Sequence, residues 1–173
     1  MMSRSFLVIL LLAMSLFAQA ETVTVVGEDD WYPYCADRGG KPEGLAADIV
    51  REAFKAAGVD VVFKVMPYAR CMDETKKGAE VACFDTTWLP EYDENFIKTK
   101  SHLFEAEIAI YSSSTYSGKM GLKVSDLEGK TVGITNGYEY GAEFGANKKI
   151  KSDSAKSDIL VLKKQAAGRT DFA

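Results

Sequence analysis

Twice along this chain, a short β-branched run gives way to a helical segment and then to another such run, and that rhythm restricts the fold to the α/β class. Residues 22–27 read TVTVVG, a strand ending in Gly27. After the polar and aromatic loop EDDWYPYCADRGGKPEG, residues 45–57 place Leu45, Ile49, Ala53, Phe54 and Ala57 on one helical face, and Gly58 closes the helix. A strand over 59–66, a helix over 68–77 closed by Gly78 and a strand over 80–85 complete the first set. Strands separated by helices pair in parallel through right-handed crossovers. Residues 86–102 read as a long loop or irregular helix. The second set then runs through a strand over 103–111, a short helix at 124–127, a strand over 131–135 and a helix over 137–146. A strand over 149–152, a helix over 158–167 and a last strand opening at Thr170 follow.

Residues 1–20 stand apart from this pattern. Arg4 precedes an apolar run that closes on Ala18-Gln19-Ala20, a small-x-small cleavage site, so the segment predicts a cleaved secretory signal peptide and a periplasmic product. The remaining composition is that of an ordinary globular chain, with 47% hydrophobic and 27% charged residues. A net charge of −4 without a basic run excludes a nucleic-acid partner. Export places Cys35, Cys71 and Cys83 in an oxidising compartment. One disulfide is expected, with Cys71–Cys83 favoured as the pair closest in sequence and buried free thiols as the alternative. The spacing of the cysteines and the lone His102 do not form a metal site, and no cofactor is expected.

Several motifs, taken in order, carry a resemblance. An early strand leads into Trp31-Tyr32-Pro33-Tyr34, and Gly44-Leu45 with Asp48 opens the first helix. Gly78 precedes Glu80 and a strand that ends in a threonine-bearing loop. DLEGKTVGITNG at 126–137 is similar to a DLKGKxVGVxxG pattern, and AAGRTDFA at 166–173 to xxGRxDAxx. In this order the motifs resemble the bacterial extracellular solute-binding proteins of family 3, the periplasmic receptors of amino-acid ABC importers. The resemblance implies a periplasmic-binding-protein-like fold: a first α/β lobe at 21–103, a hinge-crossing strand at 104–112 and a partial second lobe at 113–173. It implies a non-catalytic monomer that holds a small polar solute, an amino acid or similar, in the interlobe cleft for an inner-membrane ABC permease. A periplasmic sensory input domain is the alternative, as is a lyase-like enzyme using Tyr92, Glu139 and Asp85 as acid/base groups. Because the chain stops at Ala173, before the return crossing strand of the family, a C-terminally truncated receptor that binds solute poorly is also expected.

The same resemblance places the ligand at the C-terminal ends of the strands. Trp31 and Tyr34 could form a flat wall for it, or pack under their loop. Asp85, Thr86 and Thr87 follow the third strand; Asp85 could accept from an ammonium and the threonines supply hydroxyls, unless they only cap or turn the chain. The family's carboxylate-binding arginine is replaced by Tyr92, which offers one neutral hydrogen bond in place of a charged fork. Arg70, in Pro67-Tyr68-Ala69-Arg70, is the candidate replacement, with a solvated helix residue as the other reading. Finally, Asn136, Tyr138 and Glu139 lie in the strand-to-helix turn after Thr135, where free N–H groups at a helix start suit an anion, while Glu139 with Asp85 suits a cation. The charge of the solute is left open.

Overall fold

The computed structural model describes residues 22–173, so the signal peptide expected over 1–20 lies outside the described residues. Strand β1 (Thr22–Glu28) pairs in parallel with β5 (Asp60–Met66), in register from Thr22↔Asp60 to Glu28↔Met66. Its valines suit a pleated, half-buried surface, and Val25 and Val26 are buried. The crossover helix α1 (Leu45–Ala56) buries Ala46, Ala47 and Val50, whose i, i+1, i+4 spacing makes one stripe. Helix α2 (Tyr68–Lys76) buries Tyr68 and Cys71 in the same way.

Between β1 and α1 the loop read from the sequence holds a small antiparallel sheet, β2 (Asp30–Trp31), β3 (Cys35–Asp37) and β4 (Pro42–Glu43), in that order. Two- and three-residue strands are too short to show a period. The third strand, expected over 80–85, is reduced to one parallel bridge, Val26↔Cys83, flanked by Val26 N–H donating to Ala82 O and Phe84 N–H donating to Val26 O. Asp85 ends it by turning into the left-handed region at φ 70°. Cys71 and Cys83 form a disulfide, 5.8 Å apart at Cα, tying α2 to this extended segment. Closing a loop of that size contributes about 3 kcal/mol through the unfolded chain. Cys35 is a free, buried thiol.

The second unit is built on β6 (Thr131–Thr135) and β7 (Lys151–Ala155), parallel from Thr131↔Lys151 to Thr135↔Ala155. Phe172 adds a parallel bridge to Val132 and an antiparallel one to Ser112. Leu127, Val132, Ile150 and Phe172 form its buried cluster, with Ile110, Tyr116 and Phe144 packed around it. Helix α4 (Asp158–Ala166) covers the sheet with Val161 and Gln165.

Three expectations are corrected here. The helix expected over 137–146 contracts to α3 (Ala142–Ala146), because Gly137 (φ 85°) and Gly141 (φ 83°) take a left-handed conformation that breaks a right-handed helix. The strand expected over 149–152 lies at β7 instead. The crossing strand expected over 103–111 is not a regular strand: residues 105–109 are exposed, and only its end pairs, Tyr111 exchanging two hydrogen bonds with Ala173 at 2.7 and 3.0 Å. No neighbouring strand runs beside it among the described residues.

Candidate functional site

Both parallel sheets direct their C-terminal ends at one cavity of ≈ 390 Å³. The end of β1 delivers Glu28, and the turn after β5 delivers Pro67, Tyr68 and Ala69. From the second unit come Asn136 and Tyr138 after β6, and Ser154, Ala155 and Lys156 at the end of β7. The volume falls in the range of small-molecule sites, about 300–1,000 Å³. Gly137 sits against α2, where a Cβ on it would lie 2.7 Å from the Ala69 Cβ. Glycine is therefore required twice at this position, by the close approach and by the positive φ.

Reciprocal tyrosine–carboxylate pairs join the two units across the cavity. Tyr138 donates from the second unit to Glu28 Oε1 in the first. In return, the Tyr68 hydroxyl is shared between the two Glu139 oxygens at 2.7 and 2.9 Å, and Tyr92 donates to Glu139 Oε1 at 2.5 Å. Glu28 is only 5% exposed, and burial pushes its carboxyl up to about 7, against the pull of the Tyr138 hydrogen bond. Asp85 is pushed up to about 7 by burial, and both its oxygens are buried without a hydrogen-bond partner. Burial also raises Glu139, opposed by the hydroxyls of Tyr92 and Tyr68. The phenols of Tyr68, Tyr92 and Tyr138 are raised by burial first and then by the carboxylates they face, so all three remain donors.

Aromatic rings continue from this cluster. Tyr68 and Tyr138 meet edge to face at 5.3 Å, and Trp31 stands 6.5 Å from Tyr138. Trp31 and Tyr34 lie 4.5 Å apart, and Tyr34 stacks on Phe104 at 5.0 Å. Trp31 and Tyr34 thus pack on each other beside the cavity and are not among its lining residues. Thr86 places its hydroxyl 3.4 Å from Met72 Sδ, whereas Thr87 is exposed.

Two readings of the sequence are corrected by the geometry. Arg70 turns away from the cavity: its side chain is 67% exposed and its Nε pairs with Glu74 Oε1 at 3.5 Å, one helical turn along. No helix starts directly after β6 to offer an anion cradle, and three amides of the turn are already engaged. Thr135 N–H donates to the Tyr140 hydroxyl at 2.7 Å, Asn136 N–H to Ala155 O and Tyr138 N–H to Thr135 O. Conversely, Glu28, Tyr68, Ser154 and Lys156 line the cavity without having been singled out. A charge directly after Gly27 at a strand end was the available signal for Glu28, and the Pro-Tyr-x-Arg element contained Tyr68 beside the arginine.

Solved structures share this fold. An ancestral arginine-binding protein bound to arginine matches with a TM-score of 0.68 at 24% identity, covering 87% of this chain and 68% of that one. The substrate binding protein of an amino acid ABC transporter matches at 0.61 and 18% identity, covering 87% and 68%. A histidine kinase sensor domain with similarity to periplasmic binding proteins matches at 0.69 and 22%, covering 90% and 68%. No curated protein matches the chain. The sequence profile of one family covers residues 23–167. The chain belongs to the bacterial extracellular solute-binding proteins, family 3.

Proposed function

We propose that this protein captures a small polar solute in the cavity between its two α/β units, without chemistry on it, and presents it in the periplasm to an ABC permease of the inner membrane. The observation that carries the reading is the lining of the cavity: Glu28 and Tyr68 come from one unit and Asn136, Tyr138 and Ser154 from the other, all within this chain. A solute seated there touches both units, so its binding free energy favours the closed arrangement, which is the differential affinity a hinge switch needs. In this reading the lobes run over 21–103 and 113–173 with the connection at 104–112, and the protein acts as a monomer. Glu28, Tyr68, Asn136 and Tyr138 form the wall of the site, Trp31, Tyr34 and Tyr92 back it, and Asp85 with Thr86 sets its floor.

Isothermal titration against amino acids, polyamines and organic acids tests the reading. Saturable binding of one class is the expected outcome, and silence across all three would contradict it. The fold shared with a histidine kinase sensor domain favours a second reading, solute sensing in place of uptake. Solute uptake by vesicles that contain the cognate permease separates the two, since a sensor adds nothing to it.

A further inference from the structure

The cavity sets a buried carboxylate, Glu28, between two tyrosines, while its lining lysine, Lys156, is exposed. Glu28 is 5% exposed and lines the cavity; Oε1 accepts from Tyr138, while Oε2 has no hydrogen-bond partner among the described residues. A carboxylate held this deep is poorly hydrated, and an ammonium donor reaching Oε2 from the cavity offsets that desolvation. The rings of Tyr68 and Tyr138 line the same space, and aromatic faces add attraction for a cation.

A carboxylate finds no comparable anchor. Arg70 is turned outward onto Glu74. Thr135, Asn136 and Tyr138 have committed their N–H groups. Chain amides at 85–87 adjoin the unpartnered Asp85 carboxylate, which repels an anion. Lys156, the one cation lining the cavity, is exposed at its edge, where a charge pair is screened and worth little.

We propose that the solute is an organic ammonium ion carrying no carboxylate, held by Glu28 Oε2 between Tyr68 and Tyr138. This rests on the solute-binding reading above and narrows it from amino acids to amines. An α-amino acid would leave its carboxylate desolvated without a fork to receive it. Its decarboxylated counterpart makes the same ammonium contact and avoids that cost.

Matched pairs test the proposal. The full chain is titrated calorimetrically at pH 8 with lysine against cadaverine and with arginine against agmatine, and Glu28→Gln is titrated beside it. In at least one pair the amine binds tenfold or more tightly than its parent amino acid, and Glu28→Gln weakens that binding at least tenfold while the unliganded Tm is kept or raised. An amino acid that binds as tightly as its amine overturns the proposal and leaves the solute-binding reading standing. An amine whose affinity is indifferent to Glu28→Gln overturns it as well. Silence from amines, amino acids and organic acids together overturns both.

Discussion

In the unit around β1 and β5 the carboxylates at the strand ends are buried and pushed upward, as is Glu139 after β6, whereas those that precede β6 sit near the surface and are pulled down. Glu28 and Asp85 reach about 7, each chiefly through burial. Asp126 is lowered by the Lys123 backbone N–H and by Lys119, and Glu128 by Lys149 and Asn147. The second unit instead commits its interior to an apolar cluster, Leu127, Val132, Ile150 and Phe172, within which charge is absent. The difference separates two tasks. Ion pairs at the far side of β6 decorate a stable core, while the charges of the first unit are kept where desolvation is expensive. A protein keeps such a cost where a ligand removes it.

The comparison breaks most readily at the apolar core. Phe172 is 3% exposed, bridges Val132 and Ser112 and packs edge to face with Tyr116 at 5.4 Å. Phe172→Ala should cost about 4 kcal/mol, lowering Tm by roughly 8–16 °C, with amide exchange accelerating through β6 and β7. Equal acceleration in β1 would show that the two units do not have separate interiors. Replacing both Cys71 and Cys83 by serine comes next, at about 3 kcal/mol. Here the loss belongs to the first unit: calorimetry should give a lower Tm, and exchange should rise in α2 before it rises in β6.

Titration sharpens the electrostatic half of the comparison. A carboxyl raised in the folded state contributes stability that is fully present below its unfolded pKa and is lost as pH rises through the folded one. For Glu28 that window runs from the ordinary 4.5 to about 7, and for Asp85 from 3.8 to about 7. The shifts correspond to changes on the order of 3–4 kcal/mol. Glu28 is faced by Tyr138, Asp158, Asp29 and Asp85, of which the three acidic neighbours raise it further as they ionise. The solute-free Tm should therefore fall between pH 5 and pH 8; a Tm that climbs over this range would contradict the burial argument. Lowered carboxyls such as Asp126 and Glu128 have the opposite sign, stabilising above their unfolded pKa, but they are exposed and screened. The smallest effect is reserved for Arg70→Ala, which removes only an exposed i,i+4 pair with Glu74. Solute affinity should stay within about twofold, near the limit set by an exposed pair, and a tenfold loss in titration would return Arg70 to the site.

The parts of this fold that could be read from the sequence are those with a period. The apolar period of Leu45, Ile49 and Phe54 marks the extent of α1, although the stripe it buries is Ala46, Ala47 and Val50 and Leu45 is exposed, and the valines of β1 and β5 mark the parallel pair. In each case burial of one stripe or face decides the conformation locally. What could not be read depends on partners distant along the chain. Residues 103–111 have strand composition, but strand formation needs a neighbour, and pairing occurs only at Tyr111. The helix expected from residue 137 is displaced to Ala142 because Gly137 is recruited to meet Ala69 and Tyr140 to accept from Thr135. At the site, Asp85 and Glu139 were visible as acids in turns. Glu28 was not, because a single carboxylate after a strand reads as solvated until Tyr138, distant by 110 residues in sequence, is seen closing over it. The same contact explains Arg70: Pro-Tyr-x-Arg placed a tyrosine and an arginine side by side, and helix phase sends Tyr68 inward and Arg70 outward.

The central claim is that Glu28 is a desolvated anchor in an interlobe cavity, awaiting a positive charge. The carboxyl carbon shift of Glu28, followed by NMR against pH with and without cadaverine, tests it most directly. Without the amine, the carboxyl should titrate near 7. With the amine at saturation its midpoint should fall by a unit or more, since the ammonium favours the charged form. A carboxyl that titrates at its ordinary value in both samples would contradict the account.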